Sequence, residues 1–352
     1  MVKCIWVVIM NYIGSKFSIL SYIDEVLEDF VKPKKCITLC DIFSGTGIVS
    51  KYFKEKGYNI ISNDIQYFSY VTLKGLIENS DELKFEKLSK KHIDPFVCLN
   101  GLHGKKGFIY KNYTLEGTKK SEFNRNYFTS DNARKIDAIR MKIEKWKKKK
   151  IINDNEYYYL LACLIEAADK VANTASVYEA FLKNTKKSAE KPIVLKPLEL
   201  VFKNKKYEIY NEDSKDLIRK IKGDVLYLDP PYNTRKYDTN YHMLETIALY
   251  DKPKIKGVTG TRVDETKKSN YCLKNKAAQE LEDLIKNANF KYILLSYNDE
   301  GIIPIKEIEN IMKKYGNYKR YEKRHKRFKS DNDREYKKNF TIEYIHCLKK
   351  FH

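Results

Sequence analysis

The sequence contains no C-x-x-C pair. Its seven cysteines (Cys4, Cys36, Cys40, Cys98, Cys163, Cys272 and Cys347) are odd in number and scattered. That pattern argues against a disulfide framework and against a zinc site; reduced thiols in a cytosolic protein are the expectation. No apolar run is long enough to cross a bilayer. The opening MVKCIWVVIM is apolar but too short for a signal peptide with its cleavage region. Met10 directly precedes NYIGSK and is a candidate translation start; a short edge strand is the other reading. No internal repeat is visible. Acidic residues are in deficit, 47 against 68 Lys and Arg, which leaves a net charge of +21. Lysine-rich composition accounts for part of this surplus. It accounts less easily for the mixed Arg, Lys and aromatic clusters, which point to a polyanion, nucleic acid ahead of membrane.

What is present reads as an α/β protein. Residues 11–30 carry Ile19, Ile23, Val26, Leu27 and Phe30 at helical spacing, and Pro33 with its lysines ends that helix. ITLCDIFSGTGIVSKYFKEKG (37–57) predicts strand, glycine turn and helix, with Gly57 as the closing residue. NIISND (59–64) predicts a second strand, and hence a βαβ unit with a parallel sheet. Residues 81–150 lose strand alternation. SDNARKIDAIRMKIEKWKKKK (130–150) predicts a helix capped by Ser130 or Asp131. Residues 156–183 predict another long helix, interrupted at Asn173-Thr174, which either break it or face a ligand. The strand pattern returns at 207–213, 224–232 and 291–301, and 317–328 with 340–350 predict a final antiparallel pair. The expected division is a sheet domain of 11–80 and 206–352, interrupted by an insertion over 81–205.

Polar signals cluster at the ends of the strands, where open parallel sheets bind ligands. They are Asp41 with the turn at Gly45 and Gly47, then Asp64, Asp213 and Asp229. The glycine turn lacks the Gly-Lys-Ser/Thr of a Walker A loop and does not complete G-x-G-x-x-G. An uncharged, nucleoside-like cofactor fits it better than a phosphate, with Asp64 placed to accept from ribose hydroxyls. Asp229-Pro-Pro-Tyr232 is the sharpest signal. Two prolines remove two backbone donors and fix φ. They leave a rigid set of acceptors, the Asp229 carboxylate and the Pro230 carbonyl, suited to an exocyclic amino group. Tyr232 offers a face for a base to stack on.

In this order, Asn11-Tyr-Ile-Gly-Ser-Lys16, Asp41-x-Phe-x-Gly-x-Gly47, Asn63-Asp64 and Asp229-Pro-Pro-Tyr232 resemble the D12-class, Dam-like adenine-specific DNA methyltransferases. The resemblance runs from Asn11 to about Leu348. It departs at Ile42, where many relatives have proline, and at Ser214, where many have phenylalanine. It implies a Rossmann-like methyltransferase sheet and S-adenosylmethionine as methyl donor, with no metal. Tyr12, Gly14 and Lys16 would close over the cofactor; Asp41, Phe43, Gly45 and Gly47 would pass beneath it. Asp64 would hold its ribose, Asp213 its adenine amino group, and Asp229 would stand between cofactor and target. Asp229, Pro230, Pro231 and Tyr232 would then be catalytic, acting on an adenine flipped out of duplex DNA. Ser296-Tyr297-Asn298 either line the same pocket or simply end a strand.

The 81–205 insertion falls where this group carries its target-recognition region. Arg125, Arg134, Arg140, Arg235 and Lys236 are the candidate DNA contacts, with Arg320, Arg324 and Arg327 in the tail. Double-stranded DNA is the expected partner, with no membrane; a cognate restriction endonuclease would act separately. A monomer in a bacterial or phage-infected cytoplasm is the expected setting. RNA adenine or DNA cytosine-N4 methylation, and a catalytically silent nucleic-acid binder, remain alternative readings.

Overall fold

Short apolar runs that stop at a glycine or an acid become the strands of one sheet. The computed structural model describes residues 12–33, 37–233, 237–263, 269–326 and 340–351. Met10, Asn11, Arg235, Lys236 and Arg327 lie outside the described residues. Among those described, the strands are β1 (Thr38–Asp41), β2 (Asn59–Asn63), β3 (Tyr207–Tyr210), β4 (Lys222–Leu228), β5 (Ile255–Lys256), β6 (Thr261–Arg262), β7 (Asn289–Asn298), β8 (Gly316–Lys326) and β9 (Phe340–Lys350). Seven of them form one sheet in the order β3-β2-β1-β4-β7-β9-β8. The first five run parallel, and β9 pairs antiparallel with both β7 and β8. This is the expected Rossmann-like, mostly parallel sheet with a closing antiparallel pair.

The chain divides into two compact units, and the sheet belongs to the second (Ser18–Gln66, Lys203–Tyr237 and Lys267–His352). Alternation along each strand sends successive side chains to opposite faces. One face buries Cys40, Ile61, Leu226, Leu228, Ile293, Leu295 and Leu348 against Leu281, Leu284 and Ile285 of helix Ala277–Asn287 and Ile308 and Met312 of helix Ile305–Lys313. On the opposite face, Ser50 of helix Ile48–Glu55 reaches both Asp41 and Ser62. That helix begins at Gly47, in the left-handed region (φ 77°), and is closed by Gly57 at φ 87°, whose N–H donates to the Lys54 carbonyl. A side chain at either position would be strained, which is why the sequence has glycine there.

The first unit (Met1–Phe17, Tyr67–Phe202 and Asp238–Thr266) is mainly helical. It therefore takes in 12–17, 67–80 and 238–266, which the sequence pattern assigned to the sheet domain. The reason is packing. Helix Tyr67–Leu76 lies against helix Asp154–Lys170 so closely that a Cβ on Gly75 would fall 2.8 Å from the Tyr158 carbonyl oxygen. The Glu245 carboxylate, from helix His242–Leu249, accepts from the Tyr67 and Phe68 N–H groups at the start of that same helix. Buried Asp137 likewise accepts from the Ile109 and Tyr110 N–H groups and from the Tyr250 hydroxyl.

Two helix boundaries differ from expectation. Helix Ser130–Lys148 is capped by Thr129, whose hydroxyl accepts from the Asn132 N–H; Ser130 is already its first residue. Helix Asp154–Lys170 opens on an Asn153/Glu156 capping box and stops before Asn173, rather than continuing to 183. Asn173 breaks the pattern by bonding backbone. Its amide donates to the Asn126 and Leu182 carbonyls and its oxygen accepts from the Lys186 N–H. It is fully buried, and these bonds hold the backbone that follows the helix.

Candidate active site at the carboxyl ends of the strands

From β1 the chain steps to β2 and β3 on one side, while β4 and β7 lie on the other. The β1/β4 boundary is therefore the switch point in strand order, where such sheets bind ligands. Asp41, the last residue of β1, is in register with Tyr227 of β4, two residues before Asp229. The two acids thus end adjacent strands.

Asp41 is 1% exposed. One carboxylate oxygen accepts from the Ser50 hydroxyl at 3.0 Å, and the other has no hydrogen-bond partner among the described residues. Burial pushes its pKa up to about 7, and the neighbouring Asp229 and Asp64 carboxylates add to the rise. Asp64 follows β2. Its carboxylate accepts from the Gly45 N–H at 2.8 Å and the Gln66 N–H at 2.9 Å, and burial raises its pKa to about 6. Gly45 itself is left-handed (φ 52°). Asp64 therefore fixes the glycine turn from the next strand while keeping further lone pairs for a ligand donor.

Asn63 had no assigned role in the sequence, yet it ties three strand ends together. Its buried amide donates to the Ile42 and Glu212 carbonyls, both at 3.1 Å, and its oxygen accepts from the Glu212 N–H at 3.0 Å. The residues after β1, β2 and β3 are thereby held in one frame. The available sequence signal was an amide at the end of a strand, directly before an acid. Asp213 caps helix Ser214–Leu217 by accepting from the Lys215 N–H, and it is only partly buried. Phe43, half-buried, stands edge-on to Tyr271 at 5.2 Å.

Directly after β4, Pro230 is buried and Asp229, Pro231 and Tyr232 are half-buried. The Tyr232 carbonyl accepts from the Ile302 N–H, and its ring meets Tyr297 edge-on at 6.1 Å. Tyr297 is 1% exposed, and its hydroxyl accepts from the Ile303 N–H. Gly301 lies on the Tyr297 ring; a Cβ there would fall 2.0 Å from the nearest ring carbon. Tyr297 thus packs edge-on against Tyr232, and the Asn298 oxygen accepts from the Glu300 N–H in the turn. Ser296 is fully buried within β7.

The other expected residues lie in the first unit. Gly14 is left-handed (φ 84°) and Lys16 is buried. Tyr12 stacks on Tyr241 at 4.6 Å, and the Tyr241 hydroxyl accepts from the Ile13 N–H. Two expected DNA contacts are corrected. Arg140 is 3% exposed and donates to the Ile247 and Ala248 carbonyls, closing the end of helix His242–Leu249. Arg125 is 6% exposed and donates to the Val258, Gly257 and Asn112 carbonyls. Guanidinium groups so engaged are not available to phosphates. Arg134 is partly exposed, pairs with Glu116 and Asp131, and lies over the Tyr110 ring.

An open sheet of this order, with carboxylates and a glycine turn at its switch point and a proline-stiffened Asp-Pro-Pro-Tyr on the adjoining strand, defines a Rossmann-like methyltransferase. The chain belongs to the D12 class of N6 adenine-specific DNA methyltransferases, whose family model matches residues 12–311. It is 43% identical to the type II methyltransferase M.NlaIII of Neisseria lactamica over 345 residues, covering 97% of this chain and 99% of that protein. It is 41% identical to M.FokI of Planomicrobium okeanokoites, over 97% of this chain but 53% of that longer protein. It is 36% identical to M.CviAII of Paramecium bursaria Chlorella virus 1, over 91% of this chain and 93% of that protein. The family uses S-adenosylmethionine as methyl donor. The unpartnered Asp41 oxygen, the left-handed glycine turn and the acid after each of the first strands fit an uncharged nucleoside with a cationic amino acid arm.

Proposed function

We propose that this chain is the modification enzyme of a type II restriction–modification system and methylates adenine N6 at one DNA site through Asp229, Pro230 and Tyr232. The observation that carries the reading is the placement of Asp229-Pro-Pro-Tyr232 beside Asp41 at the switch point of the sheet. Bound S-adenosylmethionine supplies an electrophilic methyl group on a sulfonium, so no metal is required. Asp64 and Asp213 would hold the nucleoside end of the cofactor. Phe43 and the turn at Gly45 and Gly47 let it lie close to the backbone.

The adenine N6 lone pair is delocalised into the ring and is a poor nucleophile. The Asp229 carboxylate and the Pro230 carbonyl accept the two N6 hydrogens and draw that lone pair out of conjugation. Such positioning is worth roughly 7–11 kcal/mol in well-oriented systems. Transfer would break the sulfur–methyl bond as the nitrogen–methyl bond forms, leaving S-adenosylhomocysteine, and the extra N6 proton would pass to Asp229 or solvent. Tyr232, braced by Tyr297, stacks on the flipped base. Stacking of this kind is worth about 1–3 kcal/mol. Residues 81–205 carry target recognition, the cognate endonuclease is a separate protein, and the enzyme works as a monomer in the cytoplasm.

The experiment compares the wild type with Asp229→Ala. Each is incubated with mixed-sequence duplex DNA and labelled S-adenosylmethionine, and the nucleosides are separated by mass. N6-methyldeoxyadenosine from the wild type alone is the expected result. N4-methyldeoxycytidine, or full activity in the variant, refutes the assignment.

A further inference from the structure

Arg125 is turned inward, onto the turn of a short hairpin. Strands β5 and β6 form a short hairpin in the first unit, with Ile255 opposite Arg262 and Lys256 opposite Thr261. The Arg125 guanidinium donates to the Val258 carbonyl at 3.0 Å and the Gly257 carbonyl at 2.9 Å. The Tyr113 hydroxyl donates to the Gly260 carbonyl at 2.8 Å. Gly257 and Gly260 are both left-handed (φ 69° and 66°), and a Cβ on Gly260 would fall 2.8 Å from the Arg125 Nε. At the base, buried Arg262 makes a two-pronged pair with Asp251 at 2.9 and 2.7 Å. Two arginines and a tyrosine therefore fix a turn that would otherwise be soft.

The rigid tip presents a particular chemistry. Lys252, Lys254 and Lys256 are exposed, and Val258 is 55% exposed at the end of the turn. Among the described residues, no carboxylate pairs with any of the three lysines. The turn, held by side-chain hydrogen bonds from Arg125 and Tyr113, is a preformed cationic element with one exposed apolar side chain at its tip. It suits a ribbon that meets a polyanion carrying an apolar interior. Holding such an element in its bound shape reduces the ordering cost of association.

We propose that the hairpin Asp251–Val263 is a DNA-contacting element, with its lysine row on the phosphates, Val258 against the bases, and Arg125 as its positioning residue. The proposal rests on the reading of this chain as a DNA methyltransferase. It places a contact outside the 81–205 region. A two-stranded ribbon fits the major groove, and apolar side chains read thymine methyl groups there.

The test uses the full chain and four proteins: the wild type, the triple variant Lys252→Ala/Lys254→Ala/Lys256→Ala, Val258→Ala and Arg125→Lys. DNA affinity is measured by fluorescence anisotropy across a salt series. One duplex carries the site mapped from methylated positions, and a matched duplex lacks it. Cofactor affinity, thermal midpoint and single-turnover methylation are recorded alongside. The triple variant is expected to weaken both duplexes alike and to lower the slope of log affinity against log salt by about 3. Its cofactor affinity and midpoint should not move. Val258→Ala is expected to cut the ratio between the two duplexes about fivefold or more. Arg125→Lys keeps the charge but loses the fork, and should reproduce the Val258→Ala effect with cofactor affinity intact. A triple variant with the wild-type slope and affinity overturns the hairpin proposal alone. A wild type that binds cofactor yet methylates no duplex overturns the reading of the site.

Discussion

Asn63→Ala tests the frame on which the proposed cofactor site is built. The substitution removes three hydrogen bonds, two from the amide to the Ile42 and Glu212 carbonyls and one from the Glu212 N–H to the side-chain oxygen. Each such bond contributes about 0.5–1.5 kcal/mol net, and a buried group left without its partner costs about 1–3 kcal/mol. Ile42 is fully buried and Asn63 is 1% exposed, so water does not readily replace the lost partners there. Glu212 is half-buried and regains some solvation. The expected destabilisation is about 2–4 kcal/mol. It is read from urea unfolding as a lower midpoint at unchanged slope. The function-specific consequence is separate. Asn63 positions the backbone beside Asp64, Asp213 and the residue before Phe43, so cofactor affinity measured by calorimetry on the folded variant should fall at least tenfold. Asn63→Asp keeps the acceptor for Glu212 but turns a carboxylate toward two carbonyls, and it should be no better than alanine. A variant within 1 kcal/mol of the wild type that binds cofactor normally would refute the argument.

Further expectations follow from neighbouring residues. Asp41 has a folded pKa of about 7, above its unfolded value of about 3.9, so in that window the folded state retains a proton that the unfolded chain has released. Its contribution to stability therefore declines as pH rises from about 4 to 7, and Asp41→Asn should remove that decline in a wild-type-minus-variant comparison of urea midpoints; parallel pH profiles would sink the assignment. Gly301→Ala drives a methyl group into the Tyr297 ring that braces Tyr232. It should cost about 1–3 kcal/mol in thermal unfolding and slow single-turnover methylation, whereas an unchanged rate would separate Tyr297 from the reaction. Arg140→Ala should destabilise the protein by about 2–4 kcal/mol, because the Ile247 and Ala248 carbonyls lose their donor. It should leave the salt slope of DNA binding untouched, and a shallower slope would return Arg140 to the DNA surface.

The sequence by itself determined the sheet, its order of motifs and which polar groups stand at the strand ends. Strand periodicity and the glycine turn are local, because alternation and left-handed φ are properties of a few consecutive residues. Asp229-Pro-Pro-Tyr232 is legible for the same reason: its stiffness lies in the two prolines themselves. What only the tertiary structure decided is long-range. Whether an arginine faces solvent or a buried carbonyl depends on residues more than 100 positions away, as for Arg125 with Gly257 and Arg140 with Ile247. Helix Tyr67–Leu76 joined the helical unit because Gly75 allows close approach to Tyr158 and Glu245 caps its first turn; neither is visible in the helix's own sequence. The two-residue strands of the hairpin Ile255–Arg262 carry too few positions to show a period. Asn63 looks like any turn residue until β1 and β3 are brought to either side of it. Local pattern specifies the elements and the reactive groups, whereas burial, which assigns a polar side chain to structure or to a ligand, is a property of the folded whole.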